Sequence, residues 1–230
     1  MTDIAANLRH IRQDIQTFAE RYGRAPGDIT LLAVSKTKPV AALRQAVAAG
    51  QSDFGENYLD EALEKIDALR DCALRWHFIG SIQSRKARDI ARHFDWVHTI
   101  DRLKVAEKLS ANRPAGLPPL QCCLQVNIDR EDSKSGVMPE ELPALLRQVE
   151  ALPALQVRGL MVIPAPAADF AAQRDSFRRT RELMDSLHST VSTLDTLSMG
   201  MSGDMEAAIA EGASMVRIGT AIFGARTTHQ

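Results

Sequence analysis

The sequence predicts a single-domain (β/α)8 barrel, an α/β fold, with one extra helix at its amino terminus. Three observations lead there. Eight short apolar runs recur along the 230 residues, each followed by a helical pattern, at roughly 29 residues per unit. The runs are too short for helices and read as strands of a parallel sheet, buried on both faces. No linker or change of composition divides the chain, so one domain is expected over residues 1–230, with 1–22 as the additional helix. An open doubly wound sheet fits this count and spacing less well.

Each element has its own local justification. Ile4, Leu8, Ile11, Ile15 and Phe18 follow alternating steps of four and three, the stripe of an amphipathic helix. Gly23, Pro26 and Gly27 break it. Residues 29–34 form the first strand, after which Pro39 opens a helix in its first turn and Gly50 closes it. Further strands are predicted at 52–55, 76–80, 96–100, 120–127, 157–163, 196–198 and 214–218. Leu59, Ala62, Leu63, Ile66 and Leu69 share one intervening helical face, and Leu142, Leu145, Leu146 and Val149 another. Pro164 and Pro166 mark a long loop after the sixth strand.

Composition excludes several classes of function. Lys plus Arg total 28 against 29 Asp plus Glu, a formal net charge of -1, which argues against nucleic-acid or membrane-surface partners. No apolar stretch reaches the ~18 residues of a membrane span, and no basic region followed by an apolar run opens the chain, so a cytoplasmic protein is expected. Cys72 and the adjacent Cys122 and Cys123 make no disulfide framework and read as small apolar residues in a reducing compartment. His77 and His98 lie in apolar runs and read as core histidines; no Cys/His spacing predicts a metal site.

The working face of such a barrel is the carboxyl ends of its strands. Lys36 follows the first strand. Desolvation at the barrel mouth and repulsion from Lys38 would lower its pKa and make it a Schiff-base nucleophile; position alone favours a solvated strand-end lysine. After the seventh and eighth strands, 198–204 and Gly219-Thr220 carry glycines and the hydroxyls of Ser202 and Thr220, where barrels often bind phosphate. Helix capping and tight packing are the alternative readings of these residues, and Asp204 and Glu206 would compete with an anion unless turned away. Arg217, near the end of the eighth strand, would pair with an acid or bind a ligand atom. Residues 129–136 read as a polar, mobile loop in which Lys134 is solvated.

Lysine on the first strand and phosphate donors after the last two suggest a phosphate-bearing aldehyde, pyridoxal 5′-phosphate. The blocks Ala33-Val34-Ser35-Lys36-Thr37-Lys38-Pro39, Phe54-Gly55-Glu56-Asn57-Tyr58, Ser198-Met199-Gly200-Met201-Ser202 and Val216-Arg217-Ile218-Gly219-Thr220 stand in order along the chain. With Trp76-His77-Phe78-Ile79-Gly80, Ser133-Lys134-Ser135-Gly136 and Arg158-Gly159-Leu160-Met161, they resemble the pyridoxal phosphate homeostasis proteins, relatives of the alanine racemase barrel domain. Ile82 and Arg85 depart from that pattern in the loop after the third strand.

The resemblance implies that Lys36 carries the cofactor as a reversible Schiff base. It further implies that Ser202, Gly219 and Thr220 hold the phosphate, that Arg217 faces the pyridine nitrogen, and that Asn57 and Met199 line the pocket. An arginine at that nitrogen weakens the ring as an electron sink. The second base of alanine racemases comes from a further domain of a partner subunit, and this chain ends at Gln230, just past the eighth unit. No catalytic residue is therefore assigned. The expectation is a monomeric carrier involved in vitamin B6 and amino-acid homeostasis, with apo-enzymes as recipients. A low-activity racemase and a lysine-dependent aldolase acting on a sugar phosphate are the alternatives.

Overall fold

The computed structural model describes residues 2–188, 191 and 193–225. Its centre is a closed barrel of eight parallel strands in sequence order. These are β1 (Thr30–Val34), β2 (Asp53–Glu56), β3 (Arg75–Phe78), β4 (Trp96–Ile100), β5 (Leu120–Gln125), β6 (Leu155–Met161), β7 (Thr196–Ser198) and β8 (Met215–Ile218). Closure brings Leu32 opposite Arg217 and Ala33 opposite Ile218. The helices around it are α2 (Val40–Ala48), α3 (Leu59–Ala68), α4 (Ala87–His93), α5 (Leu103–Asn112), α6 (Leu142–Glu150), α7 (Phe170–Leu187), α8 (Met205–Ala210) and α9 (Thr220–Phe223). Most of the apolar core lies between the sheet and these helices.

The extra helix is α1 (Ile4–Arg21), started by Asp3, whose carboxylate accepts the Ala6 N–H. Ile4, Leu8, Ile11 and Ile15 are buried as the periodicity predicts; Ala19 replaces Phe18 as the last buried position, and Phe18 is only partly covered. The helix packs on α8 and α9, and Asn7 donates to the Ile222 carbonyl at 2.9 Å. Deleting a fully buried leucine such as Leu8 costs about 2–5 kcal/mol, which anchors α1 as part of the fold.

Strand ends differ from expectation where partner strands decide them. β6 begins at Leu155 because Leu120 pairs there, two residues before the apolar run that predicts it, and it ends at Met161. β3 ends at Phe78 instead of residue 80. β5 ends at Gln125, with Val126 continuing only as a bridge to Val137. Pro39 sits at the N-cap of α2, one position before the first turn. No described helix is long and apolar enough to cross a membrane.

Candidate functional site

β1 stops at Val34, and the chain turns sharply just beyond it. Thr37 has φ 64°, the left-handed region that branched side chains rarely adopt. Its N–H is held by the Glu61 carboxylate at 2.6 Å. Beneath the turn lies the buried Lys65 ammonium, which donates to the Ser35 carbonyl and the Glu56 carboxylate at 2.7 Å each and pairs with Glu61. The Ser35 hydroxyl donates to the same Glu56 oxygen at 2.6 Å. Burial raises the Glu56 carboxyl pKa even though Lys65 and Ser35 pull it down. This network fixes the backbone on either side of Lys36, whose half-buried side chain lines a cavity of about 380 Å³ at the barrel mouth.

That cavity gathers Lys36, Asn57, Ser202, Arg217, Gly219 and Thr220 on its wall. Met199 is not among them. Ser198 points into the barrel, where it binds Arg217 and His98, so strand alternation turns Met199 outward into the apolar core. Met201 and Met161 take its place on the wall, joined by Val34, Ile79 and Ile163 as an apolar flank. Apart from Met161, marked by its place late in a strand, these wall residues carry no chemical signal that a sequence reading can use.

Asn57 is set by a close approach of two backbones. A Cβ on Gly80 would stand 2.1 Å from the Asn57 carbonyl oxygen, so only glycine fits there. The Asn57 Oδ1 atom is buried and has no hydrogen-bond partner among the described residues. An orphaned buried acceptor of this kind marks room for a donor from a ligand.

Arg217 is almost fully buried. It donates to Ser198 Oγ and to the Val162 carbonyl, each at 2.9 Å, and no ion pair to it occurs among the described residues. Burial lowers its pKa to about 10, with Asp204 opposing, so it remains a cation at neutral pH.

The loop from Met199 to Asp204 is held by its own backbone. Gly200 takes φ 95°, and its carbonyl accepts the Arg217 N–H at 2.9 Å. Asp204 accepts the Met201 N–H, and Glu206 is turned toward Arg21 of α1 and Tyr22 just past it, so neither acid has all its capacity free to oppose an anion. The helices expected to lend their dipoles span only six and four residues, α8 and α9. Such short helices have weak macrodipoles. The anion-binding capacity of this side therefore rests on the exposed hydroxyls of Ser202 and Thr220 and on backbone amides beside glycine.

Two other lysines have partners that the sequence reading did not name. Lys38 donates to the carbonyls of Phe223, Gly224 and Ala225 at the end of α9. Lys134 is only partly solvated: it donates to the Ile163 and Pro164 carbonyls and pairs with Glu131 at 2.6 Å. Asn127 ties the same loop through the Glu131 N–H and carbonyl, so the segment read as mobile is stitched to the loop after β6.

Fold and site together define a barrel of the alanine racemase type, and residues 6–227 match the family described as alanine racemase, N-terminal domain. Over 226 residues the chain is 60% identical to the pyridoxal phosphate homeostasis protein of Pseudomonas aeruginosa, covering 98% of this chain and 97% of that one. Identity to the protein of the same name from Escherichia coli is 52% over 229 residues, 98% of each chain. The chain belongs to the pyridoxal phosphate homeostasis protein family. PipY of Synechococcus elongatus, solved with pyridoxal phosphate bound, matches with a TM-score of 0.83 and 38% identity, over 96% of this chain and 100% of that one.

Proposed function

We propose that this protein binds pyridoxal 5′-phosphate at the barrel mouth and takes part in pyridoxal phosphate and amino-acid homeostasis, Lys36 being the point of attachment. The observation that carries the reading is the convergence of Lys36, Arg217, Ser202 and Thr220 on one cavity, in a chain of this family. The residues fit the cofactor. A cavity of about 380 Å³ suits a small ligand, its apolar flank suits a ring, and the orphaned Asn57 oxygen awaits a donor. When bound, pyridoxal phosphate supplies an aldehyde that condenses reversibly with a primary amine.

The chain's own groups then divide the work. Lys36 offers the amine on a turn held rigid by Glu61 and Lys65. Ser202, Thr220 and the backbone at Gly219 hold the phosphate, and Asn57 binds beside the ring. Arg217 meets the pyridine nitrogen as a cation and disfavours a proton there. Of the titratable side chains on the cavity wall, the described residues supply Lys36 and Arg217. That pairing supports holding and releasing the cofactor, with no residue assigned as a second acid or base. The protein acts as a cytoplasmic monomer whose recipients are apo-enzymes.

The test is an absorbance spectrum of the purified protein, followed by borohydride reduction and peptide mapping. A pyridoxyl adduct on Lys36 is the expected result. A protein that stays colourless after incubation with pyridoxal phosphate, or that carries its adduct only elsewhere, overturns the reading and returns Lys36 to aldolase or surface chemistry.

A further inference from the structure

Below the mouth, Arg217 leads into a row of polar side chains that the binding reading leaves unused. Arg217 Nη1 lies 2.9 Å from Ser198 Oγ, and Ser198 Oγ lies 2.8 Å from His98 Nδ1. His98 Nε2 is 3.0 Å from His77 Nδ1, and His77 Nε2 is 3.2 Å from Asp53 Oδ1. Arg75 grips both Asp53 oxygens at 2.7 Å. Ser198, His98 and His77 are fully buried, so every proton in the row must have a protein partner.

The two ends of the row dictate where those protons sit. A guanidinium can only donate, so Ser198 Oγ accepts from Arg217, and the serine's own proton is available to His98 Nδ1. A carboxylate can only accept, so His77 carries its proton on Nε2 toward Asp53. A neutral His77 then accepts at Nδ1, which requires the proton of His98 to be on Nε2. That again makes His98 Nδ1 the acceptor for Ser198. The Asp53 end sets the direction and the Arg217 end accommodates it, so one arrangement satisfies all the groups with both imidazoles neutral. Burial lowers the pKa of both rings; Asp53 opposes this at His77, whereas Arg217 reinforces it at His98. Trp96 stacks on His77 with centroids 5.5 Å apart and holds that ring in plane.

We propose that His98 and His77 are positioning residues for the cofactor. Acting through Ser198, this one-way hydrogen-bond row locks the guanidinium of Arg217 in the orientation that meets the pyridine nitrogen. The row crosses the barrel interior and is anchored at its far end by the Asp53–Arg75 pair. This inference rests on the reading that Arg217 faces the ring nitrogen, and the closing experiment separates the two.

The first arm uses the full-length protein without cofactor, labelled with ¹⁵N-histidine. Long-range proton–nitrogen spectra should show two of the six histidines as neutral Nε2–H tautomers that do not titrate between about pH 6 and 8. Assignment by His77→Gln and His98→Gln identifies them. An Nδ1–H tautomer or ordinary titration at either position overturns the row, whatever the cofactor does.

The second arm uses cofactor-loaded protein and reads its visible spectrum and the rate of cofactor release. Ser198→Ala should shift the absorption band and speed release by about tenfold, and Ser198→Thr, which keeps the hydroxyl, should restore both. An unchanged spectrum and release rate in folded Ser198→Ala, checked by circular dichroism, overturn the positioning role. Should Ser198→Ala fail to fold, His98→Gln takes its place under the same criteria. If the wild-type adduct does not map to Lys36, the cofactor reading fails by itself, and the tautomer result still decides whether the row exists.

Discussion

The barrel carries a cavity at each end, and the two differ less in size than in what surrounds their polar groups. The cleft at the amino ends of the strands, about 450 Å³, is lined by Arg12, Asp53 and Arg75. Arg12 is engaged with the Ala49 and Gly50 carbonyls and with Gln51, and Asp53 is engaged with Arg75, Ser52 and His77. At the mouth, a smaller cavity of about 380 Å³ retains an orphaned amide oxygen on Asn57 and two exposed hydroxyl residues. Volume therefore does not choose the site. A ligand needs polar groups whose hydrogen bonds the fold itself has not already filled.

Four measurements would break or sharpen that contrast. The largest effect should come from Lys36→Met, which is expected to weaken retention of pyridoxal phosphate about 100-fold, or about 2.7 kcal/mol. Arg12→Met, in the larger cleft, should leave retention within about twofold while lowering stability by about 1 kcal/mol. Equilibrium dialysis and urea unfolding read both; equal losses of cofactor in the two variants would erase the contrast.

Gly80→Ala comes next. With a Cβ forced against the Asn57 carbonyl at 2.1 Å, we expect about 2 kcal/mol of destabilisation in urea together with weaker retention. Gly116→Ala, where nothing lies within 4 Å, should stay within about 0.5 kcal/mol of wild type. A well-folded, fully binding Gly80→Ala would show that the approach of these two backbones does not set the site.

The amino end should reveal itself through pH. His77 and His98 have folded pKa values below the usual 6.5, so below that pH the unfolded chain takes up protons that the folded chain refuses. Stability then falls as pH drops through 6.5, by at most about 1.4 kcal/mol per pH unit for each histidine. Burial pushes the Asp53 carboxyl up, but hydrogen bonds from His77, Arg75 and Ser52 outweigh it and hold the group well below its ordinary 3.8. Its contribution is present above 3.8 and is lost only as pH falls below that value. Urea midpoints that stay flat from pH 7 to 5.5 would contradict the neutral histidines.

The smallest effect expected is that of Thr220→Val, about 1 kcal/mol weaker binding of pyridoxal phosphate with no change for pyridoxal. Equal weakening of both ligands would remove Thr220 from the phosphate side.

Much of the fold was legible because its signals are local. The stripe Ile4, Leu8, Ile11 and Ile15 is a property of one helix, and the eight apolar runs with their helices follow from short-range periodicity. Lys36, Asn57, Ser202, Arg217, Gly219 and Thr220 were legible as candidates because each falls at or just past a strand's carboxyl end, where a barrel of this kind gathers its loops. Met199 was misplaced because it and Met201, two residues apart in one loop, carry the same chemistry, and the inward turn of Ser198 is what sends Met199 into the core. Lys134 was misread because its partners, the carbonyls of Ile163 and Pro164, belong to a loop about thirty residues away.

By itself, then, the sequence determined the order and kind of the elements and the residue types available at the carboxyl ends of the strands. These follow from backbone propensity and apolar period, which act over a few residues. Only the tertiary structure decided register and direction: where β6 starts, which side of β7 faces inward, and which distant groups become neighbours. His98 and Ser198 stand 100 residues apart in the chain yet meet at 2.8 Å. The barrel must close before strand alternation acquires an inside and an outside, and only that closure turns separate core histidines into one row leading to Arg217.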